Sequence, residues 1–229
     1  MLGKAINQFE SVSPLLFADI SKLMLNIANL ECVRGDRQLF SGLSFSLEEG
    51  SLLHVHGANG SGKTTLLRAI AGLVLPEDGE IEWGGKPTRK LGEDFNRELI
   101  YMGHHYGLKF ELTGYENLRV FAQLSGFEIS ERKVEVALKT MGLARCFELP
   151  VKVLSQGQKK RVSLARLLLQ RSKLWILDEP FVALDVAGVG RLLEMIKEHV
   201  ADGGMVILTT HQEVDVEVGK LQHLHLGEH

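Results

Sequence analysis

The stretch "GANGSGKTT" at residues 57–65 limits what this chain can fold into more than any other segment. It matches the pattern G-x-x-x-x-G-K-[ST], which ends here in Gly62, Lys63 and Thr64. A compact apolar run at residues 52–56 leads into it, and apolar residues at helical spacing follow it. This order predicts a strand, a tight loop, and a helix whose N-terminus opens on the loop.

Such a loop suits a phosphate group. Glycines let backbone N–H groups close around anionic oxygens without a side-chain clash, and the helix N-terminus adds the positive end of a dipole. Lys63 can reach the outer phosphates of a nucleoside triphosphate, and the Thr64 hydroxyl can hold Mg²⁺. A glycine-rich turn with an incidental lysine is the alternative, which the strand–loop–helix context disfavours. The predicted phosphate-binding residues are Gly57, Ala58, Asn59, Gly60, Ser61, Gly62, Lys63, Thr64 and Thr65.

The run "LWILDEP" at residues 174–180 is a second feature that suits phosphate chemistry. Its apolar part is typical of a strand buried on both faces, and the carboxyl ends of such strands line the ligand crevice of an open α/β sheet. Asp178 is therefore placed to hold magnesium, and Glu179 to polarise an attacking water as general base. The alternative is a strand cap followed by a turn, which is less favoured when both features occur in one chain.

The remaining pattern predicts the α/β class, because apolar strands alternate with amphipathic helices. Residues 24–56 are β-rich, and residues 113–155 are mostly helical. We expect one domain over residues 24–229 with residues 113–155 as an inserted helical subdomain. Residues 1–23 make a poor signal peptide, and we interpret them as an N-terminal tail.

Composition excludes several other classes of protein. The net charge of −3 gives no overall field that favours nucleic acid. The two cysteines, Cys32 and Cys146, are far apart and lack CxxC partners, which argues against a disulfide framework or a zinc site and fits a reducing compartment. The chain contains no apolar run of about 18 residues, the length at which a membrane span is expected.

Two pairs of histidines need separate consideration. His104 and His105 are adjacent in "YMGHHYG", and neighbouring residues of an extended chain point to opposite faces, so one metal ion would rarely take both. His223 and His225 alternate on a predicted final strand and would share a face. Two histidines without further ligands make a weak site, so we interpret this second pair as part of a surface strand rather than a metal or haem site.

The segment "LSQGQ" at residues 154–158 precedes a helix that Ser155 can cap, which makes another anion-binding helix N-terminus. Downstream lie Asp185 in "ALD" and His211 in "TTH". Together with the two features above, this ordered set resembles the nucleotide-binding subunit of ABC transporters. The resemblance covers residues 24 to about 226.

This resemblance implies a P-loop NTPase fold with a RecA-like parallel β-core, an antiparallel β-subdomain and an inserted helical subdomain. It implies ATP and Mg²⁺ as cofactors and a second copy of the chain as partner. By the family's pattern, Asp178 is the magnesium-holding aspartate, Glu179 the catalytic base and His211 the switch histidine at the γ-phosphate. The residues that would close over ATP bound by the other copy are Ser155, Gly157 and Gln158.

One departure from the family's pattern concerns the loop whose glutamine binds Mg²⁺ and the attacking water. His104 stands where that glutamine is expected. Neutral imidazole can ligate a metal or hydrogen-bond a water, although its reach is shorter. We hypothesise that His104 takes this role; the alternative is that His104 and His105 are polar loop residues near a partner surface. A second departure lies in "ECVRGDRQLF" at residues 31–40, where many relatives stack adenine on an aromatic residue. Val33 or Arg34 stands at the expected place, and this segment has no aromatic residue before Phe40.

Finer features resemble the branch of the family that serves cytochrome c maturation in bacteria. They include His104, Phe181 after the proline of "DEP", and Val186 after "ALD". This implies integral membrane subunits as partners at the cytoplasmic face of the inner membrane, no nucleic acid, and haem export or release of a haem-loaded chaperone. The alternatives are an ABC subunit for another cargo, a soluble ABC ATPase acting on ribosomes or DNA, and a plain P-loop kinase.

Overall fold

The computed structural model of the chain describes residues 23–211, 216 and 218–227. The expected tail at residues 1–23 therefore lies outside the described residues, apart from Leu23. Across the described part of the chain, the helices lack the combination of length and hydropathy that a membrane span requires.

The strands form two separate sheets, one antiparallel and one parallel. The strands are β1 (Met24–Arg34), β2 (Arg37–Glu48), β3 (Leu52–Gly57), β4 (Asp78–Trp83), β5 (Lys86–Pro87), β6 (Leu99–Met102), β7 (Leu174–Asp178), β8 (Met205–Thr209) and β9 (Leu221–Leu226). The antiparallel sheet has the order β2-β1-β4-β5, and the parallel sheet has the order β6-β7-β8-β3-β9. In this sheet β3 lies between β8 and β9, which come much later in the chain. Parallel neighbours of this kind require crossover connections, which are usually helical.

Helices connect these strands and cover the parallel sheet. They are α1 (Lys63–Ile70), α2 (Thr88–Leu91), α3 (Glu93–Glu98), α4 (Gly114–Leu124), α5 (Glu131–Thr140), α6 (Gln156–Leu164) and α7 (Val186–Ala201), with short 3₁₀ turns at Val151–Val153 and Ala165–Leu168. Ser130 caps α5, because its side chain accepts a hydrogen bond from the Lys133 backbone N–H at 3.3 Å.

The parallel sheet is the centre of the core because its middle strands are apolar on both faces. Every residue of β7 and β8 is buried. Leu53 and Val55 of β3 pack on the side of α1 and the antiparallel sheet, whereas Leu52 joins the core formed with α4 to α7. The predicted α/β class is thus confirmed, and the carboxyl ends of the parallel strands lie together at one edge.

The mostly helical segment at residues 113–155 contains α4, α5 and a 3₁₀ turn, as its pattern predicts. Its apolar side chains, among them Leu118 and Leu138, belong to the same core as Trp175 and Leu177 of β7. The segment therefore shares a core with the parallel sheet, and its treatment as a distinct subdomain stays a prediction.

A buried lysine joins α6 to the carboxyl end of β7. Lys160 is only 4% exposed, and its Nζ donates a hydrogen bond to the Glu179 backbone carbonyl at 3.0 Å. Burial lowers the pKa of Lys160 to about 8, although the nearby carboxylates of Asp178 and Glu179 act in the opposite direction. The contact between α6 and β7 therefore includes an ammonium group whose charged form is penalised by burial.

This burial predicts a pH-dependent contribution of Lys160 to folding. The unfolded chain binds more protons at this side chain between the folded pKa of about 8 and the ordinary lysine pKa of 10.5. The contribution of Lys160 to stability therefore rises with pH in that window. We expect the unfolding free energy of the native chain, minus that of Lys160→Met, to rise by about 2 kcal/mol from pH 7 to pH 9.5 in urea titrations. The control is Lys90→Met, at an exposed lysine. If the difference in unfolding free energy for Lys160→Met varied with pH no more than that for Lys90→Met, the prediction would be contradicted.

Candidate active site

The loop that precedes α1 has a conformation that only glycine permits at its ends. Gly57 has a φ of 146°, and a Cβ atom there would lie 2.5 Å from Ser61 Oγ and 2.6 Å from the Leu226 carbonyl oxygen. Gly62 has a φ of 103° and stands immediately before the first helical residue, Lys63. The loop therefore turns sharply and leaves the N-terminus of α1 open toward the space above it.

Lys63 is folded back onto this loop. Its Nζ donates hydrogen bonds to the carbonyl oxygens of Gly57 at 2.6 Å and Ala58 at 3.2 Å. The side chain is largely buried, so its charge is held among backbone dipoles rather than in water. These bonds place an ammonium group where the glycine-rich loop could hold an anion.

The Asp178 carboxylate, at the end of β7, accepts hydrogen bonds from two hydroxyl groups. Thr64 Oγ1 donates to Asp178 Oδ2 at 2.9 Å, and Thr209 Oγ1 donates to Asp178 Oδ1 at 2.8 Å. The second bond follows from the strand register, because Asp178 and Thr209 are paired residues of the neighbouring strands β7 and β8. Thr209 Oγ1 in turn accepts a bond from the Glu179 backbone N–H at 3.0 Å.

The residues at this point fit a magnesium ion. The Thr64 hydroxyl and the Asp178 carboxylate are oxygen ligands, the type that Mg²⁺ prefers, and they are already in contact with each other. An ion bound by both would replace their hydrogen bond without a large movement of either chain segment.

Glu179 is held in an unusual conformation beside Asp178. Its φ is 49°, which is uncommon for a residue other than glycine and occurs often at functional sites. Its Oε2 accepts a hydrogen bond from the His211 backbone N–H at 3.3 Å. Its Oε1 is buried, lies 3.5 Å from His211 Nε2, and has no hydrogen-bond partner among the described residues. This carboxylate oxygen can therefore accept a proton from a bound water.

These groups surround one cleft with a volume of about 310 Å³. Of the predicted site residues, those that line it are Asn59, Gly60, Gly62, Lys63, Thr64, Thr65, His104, Asp178, Glu179 and His211. Arg34 and Leu39 of the antiparallel sheet line it as well. The cleft thus joins the phosphate loop, the ends of β7 and β8, and the loop that carries His104.

The predicted residues Ser155, Gly157 and Gln158 do not line this cleft in the described part of the chain. Ser155 caps α6 through a reciprocal pair of bonds with Gln158, at 3.2 Å and 2.8 Å, and it is exposed. A Cβ atom at Gly157 would lie 2.8 Å from the Ala183 carbonyl oxygen, so glycine is required for this close approach. The N-terminus of α6 therefore faces solvent, away from the chain's own phosphate loop.

The "YMGHHYG" loop connects the cleft to α6. Tyr106 Oη donates to the Gln156 side chain at 3.1 Å, and Ser163 Oγ donates to the Tyr106 carbonyl at 2.8 Å. The Arg166 guanidinium donates to the Gly107 carbonyl. His104 lines the cleft, whereas His105 does not, although both side chains are exposed.

Sequence reasoning missed the contributions of Thr209, Lys160 and Arg161. Thr209 could have been found, since it ends a buried strand at the edge where ligand groups are expected. Arg161 pairs with Asp185 at 3.0 Å, and Asp185 caps α7 by accepting a bond from the Gly188 N–H at 2.7 Å. Nothing in the run "KKR" distinguishes the buried Lys160 from its neighbours, so only the packing of α6 reveals it.

Comparison with known proteins bears on this geometry. The sequence profile described as ABC transporter matches residues 40–182. The chain is 53% identical over 204 residues to the cytochrome c biogenesis ATP-binding export protein CcmA of Nitrosomonas europaea. The aligned region covers 89% of this chain and 96% of the relative. The protein of the same name from Dechloromonas aromatica is 52% identical, with coverage of 89% and 100%.

A solved structure of the ATP-binding subunit of an ABC transporter matches with a TM-score of 0.74 at 30% identity, covering 82% of this chain and 79% of that one. The predicted ABC-type P-loop fold is therefore confirmed. The profile covers well over half of the chain, and the curated relatives match it over nearly their full lengths. The chain belongs to the ABC transporter family, and it is one of that family's ATP-binding ATPase subunits.

Proposed function

We propose that the chain is the ATP-hydrolysing subunit of a bacterial export complex in cytochrome c biogenesis, working as a pair of copies that enclose ATP and Mg²⁺. The observation that carries the proposal is a divided site. The cleft holds the lysine-bearing loop, the carboxylates and His211, while the capped end of α6 is exposed and outside it. The curated relatives, more than 50% identical over nearly their full lengths, support the assignment to cytochrome c biogenesis.

Each side chain of the cleft has a role in hydrolysis that its contacts allow. Lys63 turns from the carbonyls of Gly57 and Ala58 to the outer phosphates. Thr64 and Asp178 hold Mg²⁺, which neutralises phosphate charge when bound. Glu179 Oε1 takes a proton from the attacking water as the water oxygen bonds to the γ-phosphorus and the bond to the ADP oxygen breaks.

His211 and His104 complete this cleft from two different loops. His211 lies beside the Glu179 carboxylate, where its ring can hydrogen-bond an oxygen of the γ-phosphate. His104 lines the same cleft and can bind Mg²⁺ or the attacking water through a ring nitrogen. The hydrogen bonds from the loop at residues 103–107 to α6 support a role in relaying the state of the nucleotide.

The second copy supplies what the cleft lacks. The Ser155 hydroxyl and the backbone N–H groups at the start of α6 form an anion-binding helix N-terminus outside the chain's own cleft. Apolar side chains near this surface are also exposed, with Val182 at 43% and Val186 at 91%. We infer that Ser155, Gly157 and Gln158 of one copy close over ATP held by the other.

The membrane subunits dock beside the loop at residues 103–107. Phe110 is 51% exposed and Val153 is 61% exposed, and the two lie on adjacent segments because the Lys152 N–H donates to the Phe110 carbonyl at 2.9 Å. Exposed apolar side chains of this kind mark interaction surfaces. The chain then acts at the cytoplasmic face of the inner membrane, where ATP hydrolysis drives haem export or release of a haem-loaded chaperone.

Replacing the proposed base tests the hydrolytic assignment. We expect Glu179→Gln to lower ATP turnover by about 100-fold or more, because the amide cannot take the proton from water. ATP-dependent pairing of copies should persist in size analysis, since the phosphate loop is unchanged. Glu148→Gln, at an exposed glutamate, is the matched control and should retain native turnover. In bacterial cells that depend on this chain, Glu179→Gln should abolish holocytochrome c formation; normal turnover or normal cytochrome levels would refute the assignment.

The two neighbouring histidines allow a direct test of the His104 role. His104→Ala should lower the ATPase rate by about tenfold or more, because a ligand that orients metal and water is lost. His105→Ala removes the same side chain outside the cleft and should change the rate little. His104→Gln should recover part of the activity. Equal small effects of the two alanine variants would show that His104 has no such role.

Mixing inactive variants tests whether the site is shared. Lys63→Ala and Ser155→Arg should each abolish hydrolysis alone. An equal mixture should regain about a quarter of native activity, because about half of the pairs are mixed and each has one intact site. Lys63→Ala mixed with Glu179→Gln should stay inactive. Both residues line the cleft of their own copy, so each of the two sites in a mixed pair carries one of the two defects. Absence of recovery in the first mixture would mean that each copy builds its own site.

A further inference from the structure

Four histidines meet on one face of the parallel sheet, at its β9 edge. His54 and His56 alternate on β3, and His223 and His225 alternate on β9, so each pair points to one side of its strand. The strands pair in parallel with His54 opposite His223 and His56 opposite His225. We call these four residues the histidine cluster. None of them lines the nucleotide cleft.

The rings of the histidine cluster are close enough to share one ion. His56 Nε2 lies 2.8 Å from His223 Nδ1, and one ring nitrogen from each of His54, His56 and His223 lies within 4.8 Å of the others. A tetrahedral zinc ion with bonds near 2.0 Å spaces its ligand atoms about 3.3 Å apart. The ring of His225 stacks on that of His56, with centroids 4.8 Å apart. Small ring rotations would therefore bring three nitrogens to coordinating positions.

His54 contributes to the cluster a ring nitrogen that can act as a metal ligand. Its Nε2 is buried and has no hydrogen-bond partner among the described residues. The backbone of Thr210 also lies close to this ring.

A stack of neutral imidazoles without a metal does not account for this arrangement equally well. Such a stack leaves the buried His54 nitrogen without a hydrogen-bond partner among the described residues. A metal ion would satisfy this atom and would replace the contact between His56 and His223. Imidazole ligands favour zinc and related transition metals over magnesium, so this site differs in chemistry from the cleft at Thr64 and Asp178.

We propose that the histidine cluster binds one divalent transition-metal ion of the zinc class. His54, His56 and His223 are the ligands, and the fourth position is open to His225 or to water. The interpretation of His223 and His225 as surface residues alone changes because β3 brings two further histidines against them.

Metal titration of the full chain, with any purification tag removed, tests this site. Zinc is titrated without nucleotide against a chromophoric chelator, and Co²⁺ is used in parallel as a spectroscopic probe. We expect one zinc per chain, unaffected by excess Mg²⁺, and a visible Co²⁺ spectrum typical of nitrogen ligands in a tetrahedral site. His223→Gln should weaken zinc binding by at least about tenfold, since one ligand is lost. His105→Gln, which removes an exposed histidine elsewhere, should bind as the native chain does.

Two results would overturn the proposal. One is absence of zinc binding by the native chain at micromolar metal. The other is equal zinc affinity of His223→Gln and His105→Gln. His223 is exposed, so the variant should fold, which its thermal unfolding without metal will show. If it does not fold, His56→Gln replaces it, and the Co²⁺ spectrum of the native chain still separates a nitrogen site from water-bound cobalt.

Discussion

The carboxylate of Asp178 is the constraint on which the rest of the structure depends. It is only 3% exposed, and it accepts hydroxyl hydrogen bonds from Thr64 at the start of α1 and from Thr209 at the end of β8. A buried carboxylate without such donors would be strongly destabilising, and each bond to a charged group contributes about 1.5–3 kcal/mol. One side chain therefore sets the phosphate loop against the ends of two buried strands. The nucleotide cleft is the space that this arrangement leaves.

Helix α6 makes direct contacts with segments that line the cleft and also reaches the protein surface. One end is exposed and capped by Ser155, while Lys160 donates to the backbone of Glu179. Ser163 bonds the loop that carries His104, and Arg161 bonds the residue that caps α7. A displacement of α6 would therefore reach the general base and the histidine loop together, because all of these contacts are direct.

Much of the fold and of the cleft could be predicted from local pattern. The glycines at 57 and 62, the apolar runs before Asp178 and the alternation of strands and helices each reflect a requirement of the backbone or of burial within a short segment. The approach of Gly157 to Ala183 and the burial of Lys160 were not predictable in this way. Both depend on how α6 packs on the segment after β7, and the same run of basic residues could have been solvated in another packing.

The sequence by itself determined the phosphate loop, the strand that ends in Asp178 and Glu179, and the helix cap at Ser155, because each is specified by residues within one turn or one strand of each other. Only the tertiary structure decided which of these groups share a cleft. It also decided that His54 and His56 meet His223 and His225, since strands far apart in the chain became neighbours in the sheet. The physical reason is that sheet order and register depend on which strands and helices pack against one another, and no local segment encodes that choice of partners.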